Sequence, residues 1–153
     1  MSGKVIMSCN IENGSASEVA DAAAALSARV ELVDNWHVHW DEVLASVERL
    51  GQCQALHIDH DGWLSARQNL LVAFVGPAAV GHLCFRVQPM VDAGHGVVFT
   101  ADGKAAVEAC VECFGVADAY ADQGIASLLI DRARARAVEL HCAAFRMQPT
   151  SAA

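Results

Sequence analysis

The chain has 153 residues, 54% of them hydrophobic and 18% charged, with a formal net charge of −8. That composition excludes a disordered chain, and its acidic balance excludes nucleic acid as the main partner, because neutralising phosphates needs a basic surface. A chain of this length buries a core without staples, and no apolar run reaches the length that spans a bilayer, so a single domain over residues 1–153 with no membrane partner is expected.

Residues 1–10 carry one lysine and no long apolar stretch before a small-residue cleavage site, so no secretion signal is expected there. Residues 4–11 lean apolar and read as a first strand, closed by the Asn13-Gly14 turn. Ser15 and Glu18 have capping-box spacing and open an alanine-rich helix to about Arg29, with Val19, Ala22, Ala23 and Leu26 as its buried face. Trp36, Trp40, Val43, Leu44, Val47 and Leu50 recur at helical spacing. Asp34 or Asn35 caps that second helix and Gly51 ends it, whereas residues 52–69 take no assignment.

From Leu70 the period changes. Residues 70–75 and 80–87 read as strands around the Gly76-Pro77 turn, a Gly-rich connection follows, and residues 105–116 return as a third strand after Asp102-Gly103. Residues 124–140 read as a helix and 143–147 as a last strand. The element order implies an α/β fold with a mixed, mostly antiparallel sheet and helices on both faces.

The cysteines (Cys9, Cys53, Cys84, Cys110, Cys113 and Cys142) lie mostly in apolar runs, as free thiols do in a reducing compartment, which points to the cytoplasm. Cys110 and Cys113 are expected to point to opposite sides of a regular strand, which leaves no zinc or redox pair and no evident partner for a cysteine nucleophile. His37 and His39 diverge if they lie on a helix. His57, Asp59, His60 and Asp61 form a compact set that reads as a polar loop rather than a metal site, so no metal is expected. His82 and His95 read as structural or substrate-side histidines, Arg132, Arg134 and Arg136 as solvated helix residues, and Trp36 and Trp40 as core. The acidic balance also favours a cationic substrate such as an amine.

The chemistry concentrates after Val116. A strand ends, a short loop follows, and a helix opens with Gly124, Ile125, Ala126 and Ser127. Free N–H groups and the helix dipole favour an anion there, and glycine lets a backbone approach closely. This stretch resembles the coenzyme-A-binding motif of the GNAT N-acetyltransferases, with Val116, Tyr120, Gly124, Ile125 and Ala126 in register, and residues 71–75 and 80–83 resemble the preceding hairpin of that fold.

The resemblance implies a GNAT-like acyltransferase that uses acetyl-CoA (coenzyme A). The acetyl or longer acyl group would go to a small-molecule or protein amine by direct attack. Residues 70–147 would form the acyl-CoA core, and residues 1–69 the acceptor side, including 34–40. It assigns the cofactor to Phe114 and Val116, along whose strand the pantetheine arm pairs, and to Ala121, Asp122, Gln123, Gly124, Ile125, Ala126 and Ser127 around the diphosphate. It assigns the base to Glu112 or Glu108, which share a strand face with Cys110 and would have raised pKa values in an apolar cleft.

Two positions depart from the family pattern. Ala121 stands where the family has Arg or Gln, a charge-assisted hydrogen bond worth about 1.5–3 kcal/mol, and Asp122 adds a like charge. Only residues 148–153 follow the last strand, where the family continues into a helix, often with a tyrosine acid, and two strands. Chemistry without that acid, completion by a partner subunit and a catalytically silent binding or regulatory module therefore all stand open. The last strand's edge suggests a homodimer.

Overall fold

The computed structural model describes residues 27–147. The expected first strand, the Asn13-Gly14 turn and nearly all of the alanine-rich helix lie outside the described residues. The end of that helix is corrected: residues 28 and 29 begin β1 (Ala28–Val33) instead. Their alternating, β-branched sequence pairs antiparallel with β2, from Ala28↔Val75 to Val33↔Leu70, and buries Val30 and Val33.

The helix expected from Trp36 starts later, as α1 (Trp40–Arg49). Asp34 Oδ1 accepts the Trp36 N–H at 2.9 Å and its carbonyl accepts that of His37 at 3.0 Å, so Asp34 closes a turn rather than capping a helix. Trp36 is thereby left 76% exposed instead of in the core. Val43 and Val47 are fully buried, and the chain leaves α1 at Gly51, whose φ of 72° suits a residue without a Cβ.

β2 (Gln68–Val75) and β3 (Ala78–Pro89) form the expected hairpin, each slightly longer than expected. The Gly-rich connection holds a small hairpin of β4 (Val91–Asp92) and β5 (Gly96–Val97). Then come β6 (Val107–Val116), α2 (Ile125–Glu139) and β7 (Ala144–Met147). The sheet order is β1-β2-β3-β6-β7, antiparallel except for the parallel β6–β7 pair.

The two helices cover opposite faces. On one, Leu71, Ala73, Leu83, Phe85, Ala109 and Val111 pack with Ile125, Leu129, Ile130 and Ala133 of α2. On the other, Leu70, Val72, Phe74, Cys84 and Cys113 pack with Val43 and Val47 of α1. Each fully buried Val or Leu contributes about 1.5–3 kcal/mol of transfer free energy. Gly81 sets the closeness of α2: a Cβ there would stand 3.1 Å from the Gly115 carbonyl and 3.2 Å from both Ile125 and Leu129. Among the described residues, no helix is long and apolar enough to cross a membrane.

Candidate functional site

The site is built around the second half of β6 and the start of α2. β7 pairs with β6 from Glu108↔Ala144 to Val111↔Met147, and among the described residues no strand accompanies β6 beyond that point. The described end of β7 lies level with a β-bulge in the β3–β6 pair. Phe85 is opposite Val111 and Cys84 is opposite Cys113, so Glu112 is the extra residue. Among the described residues, 113–116 pair with β3 alone.

The chain then crosses to α2. The Ala117 N–H reaches the Val80 carbonyl at 2.8 Å, a short 3-10 turn covers Asp118–Tyr120, and Asp122 and Gly124 both take left-handed backbone conformations. The Gln123 amide donates to the Ala119 carbonyl at 3.3 Å and ties the loop to itself. Leu128 N–H bonds to Gly124 O at 3.1 Å, which leaves the N–H groups of Gly124, Ile125, Ala126 and Ser127 without an intrahelical acceptor. The Ile125 side chain is buried in the core and anchors the turn. Ala121 and Asp122 are exposed, Gln123, Gly124 and Ala126 are half-buried, and Ser127 is buried. The helix start thus has the dipole and free donors that suit an anion, with no cation at Ala121.

Glu108 and Glu112 share the α1 face of β6, but neither lies in an apolar cleft. Glu108 accepts from Arg146 Nη2 at 2.6 Å and Gln88 Nε2 at 2.8 Å. The Arg146 guanidinium beside it is the main cause that holds its carboxyl below the usual range, against burial. The expected upward shift is therefore reversed at Glu108, which is a poor proton acceptor. Glu112 Oε1 accepts from Gln68 Nε2 at 2.6 Å, and its Oε2 lies 3.1 Å from Arg86 Nε in an ion pair not aligned as a hydrogen bond. Gln68 in turn holds the 52–67 segment through the Ala55 carbonyl and the His57 N–H.

The bulge also corrects the cysteines. With one extra residue at position 112, Cys113 returns to the α1 face and packs in the same cluster as Cys84, its partner across the sheet. His82 Nε2 lies 2.6 Å from Gln52 Oε1, and Gln52 Nε2 donates to the Phe114 carbonyl at 3.1 Å. Phe114 and Val116 are half-buried on the α2 side of the strand.

Sequence reasoning missed Gln52, Gln68, Arg86 and Arg146. They come from four separate elements and carry no local spacing signal. The alternation of Arg86 with Gln88 on β3 is the one trace that the α1 face turns polar there.

The remaining candidates disperse. His37 and His39 lie on a turn, not a helix, and their rings are 5.8 Å apart beside Phe74 rather than divergent. His57 Nδ1 accepts from Arg86 Nη2 at 2.7 Å, and Asp59 caps its own turn through the Asp61 and Trp63 N–H groups. Among the described residues no three His, Cys, Asp or Glu side chains come together as metal ligands do. Trp63 stands 5.6 Å from Trp36 in an edge-on contact. On α2, Arg136 binds Asn69 and Glu139, and Arg134 lies over the Phe145 ring.

The sequence profile described as the acetyltransferase (GNAT) family matches residues 30–152. No curated protein matches the chain significantly. Similar solved structures include an aminoglycoside acetyltransferase from an uncultured soil metagenomic sample, in complex with trehalose. It has a TM-score of 0.59 and 15% identity, with 81% of this chain and 78% of that chain covered. A ribosomal-protein-alanine N-acetyltransferase from Brucella melitensis biovar Abortus 2308 has a TM-score of 0.56 and 18% identity, covering 82% of each chain. An aminoglycoside N-acetyltransferase in complex with CoA has a TM-score of 0.55 and 11% identity, with 81% and 82% covered. At these identities the likeness is one of fold.

Proposed function

This chain belongs to the GNAT acetyltransferase family, and from that membership we propose that it moves an acetyl group from acetyl-CoA to an amine. The observation that carries the reading is the passage from the Glu112 bulge of β6 through a short loop to the N–H groups left without intrahelical acceptors at the start of α2. The pantetheine arm lies along β6 at Phe114 and Val116. The diphosphate sits on the amide hydrogens of residues 123–127 and on the Ser127 hydroxyl. A similar fold solved with CoA supports this cofactor.

The acceptor approaches from the α1 face, toward residues 34–40 and the 52–67 segment. Glu112 is the carboxylate on the bulge of β6. It attracts the ammonium form of the acceptor and takes its proton, directly or through water. The net charge of −8 and the aminoglycoside acetyltransferases of similar fold support a small cationic amine. The free cysteines among the described residues fit a cytoplasmic protein, and β7, an edge strand among them, fits a homodimer.

Calorimetric titration with acetyl-CoA tests the cofactor, and CoA release over a panel of amines tests the transfer. Micromolar to millimolar binding and amine-dependent thiol release are expected, and no binding at millimolar acetyl-CoA removes the assignment. Glu112→Gln should lower kcat by about 10²-fold with cofactor affinity retained. Ala121 and Asp122 favour a second reading, a silent GNAT-like module. That reading predicts binding without amine-dependent release and no effect of Glu112→Gln.

A further inference from the structure

Gln68, the first residue of β2, is 5% exposed, and both polar atoms of its amide are engaged. Its Oε1 accepts the His57 N–H at 2.7 Å. A backbone N–H only donates, so the oxygen and nitrogen of this amide cannot be exchanged. Its Nε2 donates to the Ala55 carbonyl at 2.9 Å and to Glu112 Oε1 at 2.6 Å. One buried side chain thus ties the 52–67 segment to the carboxylate on the β6 bulge.

The same bond makes the two oxygens of Glu112 unequal. A hydrogen on Oε1 would weaken the bond it accepts from Gln68, so Oε1 favours staying an acceptor. Oε2 faces Arg86 Nε at 3.1 Å, and that Nε is buried without a hydrogen-bond partner. The guanidinium directs its Nη2 to His57 Nδ1 instead, at 2.7 Å. The Glu112 side chain is 23% exposed, so it is within reach of solvent and of a bound amine. The other titratable groups along the strands around it are Cys84 on β3 and Cys110 and Cys113 on β6, while Glu108 is held in its pair with Arg146.

We infer that Gln68 is a positioning residue for the proton transfer to Glu112, an inference that rests on the acyltransferase reading above. Gln68 holds the carboxylate by Oε1 and reserves Oε2 for the proton of the acceptor. An N–H bond of the bound ammonium breaks, its electron pair stays on nitrogen, and the proton bonds to Oε2. The hydrogen bond from Gln68 is strongest to the charged carboxylate and weakens as that charge is neutralised, so the amide sets how readily the base takes its proton. Through Ala55 and His57 the same amide keeps the 52–67 segment in register with the base.

The test is the pH profile of kcat/KM for acetylation of one amine by the full chain, by Gln68→Met and by Gln68→Glu. Methionine keeps the length of the side chain and removes the donor, and glutamate sets a second carboxylate against Glu112. A carboxylate with less support holds its proton to higher pH. The acid limb should therefore move up by about one unit in Gln68→Met, and further in Gln68→Glu. Below that limb the Gln68→Met rate should be about tenfold lower, with the Kd for acetyl-CoA unchanged. In a Glu112→Gln background, Gln68→Met should leave the profile where it is. An unmoved acid limb, or the same shift with and without Glu112, overturns the proposal and leaves the acyltransferase reading standing. No amine-dependent CoA release by the unaltered chain at any pH removes both. If the Gln68 variants do not fold, NMR of the unaltered chain decides: the Gln68 side-chain amide protons should shift with pH along the acid limb and stay still in Glu112→Gln. Amide protons that ignore the limb overturn the proposal.

Discussion

Arg146 fixes Glu108 as an anion from 2.6 Å, and the sign of the consequence is set by the lowered pKa. A depressed carboxylate stabilises the fold above the ordinary carboxylate range, near about 4.3, and loses that contribution as pH falls through its folded value. Glu108→Gln should therefore lower the Tm at neutral pH, with a difference that shrinks as the pH drops below about 4. Thermal unfolding of both proteins across that range checks it, and a difference that grows in acid contradicts the pairing. Glu108 serves as a strut, whereas Glu112, four residues on, sits on the bulge.

At the scale of the element, the start of α2 offers an anion free backbone N–H groups and the helix dipole but no cation at Ala121. Ala121 is exposed just before the turn, so an arginine there faces the same space without a core clash. Ala121→Arg should tighten acetyl-CoA binding by about 1.5–3 kcal/mol, roughly tenfold to a hundredfold in Kd, as measured by calorimetry. An unchanged Kd would mean that the diphosphate lies elsewhere.

This element was the most legible in the sequence. Gly124 and the small residues after it announce a helix start through steric need alone, and the hairpin around Gly76-Pro77 reads the same way. The α1 boundary was not legible, because Trp36 and Trp40 keep helical spacing while the Asp34 side chain holds the Trp36 N–H in a turn. Nor was the bulge: a strand's facing is read by counting twos, and one extra residue at position 112 moves Cys113 onto the face of Cys110. Gln52 and Arg146 join the site only through tertiary pairing, across 62 and 38 residues of sequence.

Across the whole molecule, the two sheet faces divide the work. The α2 face is an apolar cluster, from Leu71 and Phe85 to Leu129 and Ala133. The α1 face mixes an apolar half under α1 with a polar half that holds Gln68, His82, Arg86, Glu108, Glu112 and Arg146. Charged chemistry is thereby kept off the face that supplies most of the packing with α2. With a net charge of −8, long-range attraction speeds the encounter with a polycationic amine. The kcat/KM for such an acceptor should fall steeply between low and physiological ionic strength, and that for a neutral amine should not.

The turn that displaced Trp36 has an optical consequence. Trp36 and Trp63 stand edge to edge in water, 76% and 51% exposed, while the third tryptophan, Trp40, is half-buried against the α1-face core. The N–H of Leu64 donates to Asn35 Oδ1 and keeps the two indole-bearing turns in register. The native emission spectrum is therefore dominated by wet indoles beside the acceptor approach. If the acceptor binds on the side proposed for it, an amine settling there should strip their water and move the emission to shorter wavelength, a shift that a fluorescence titration reads without a dye.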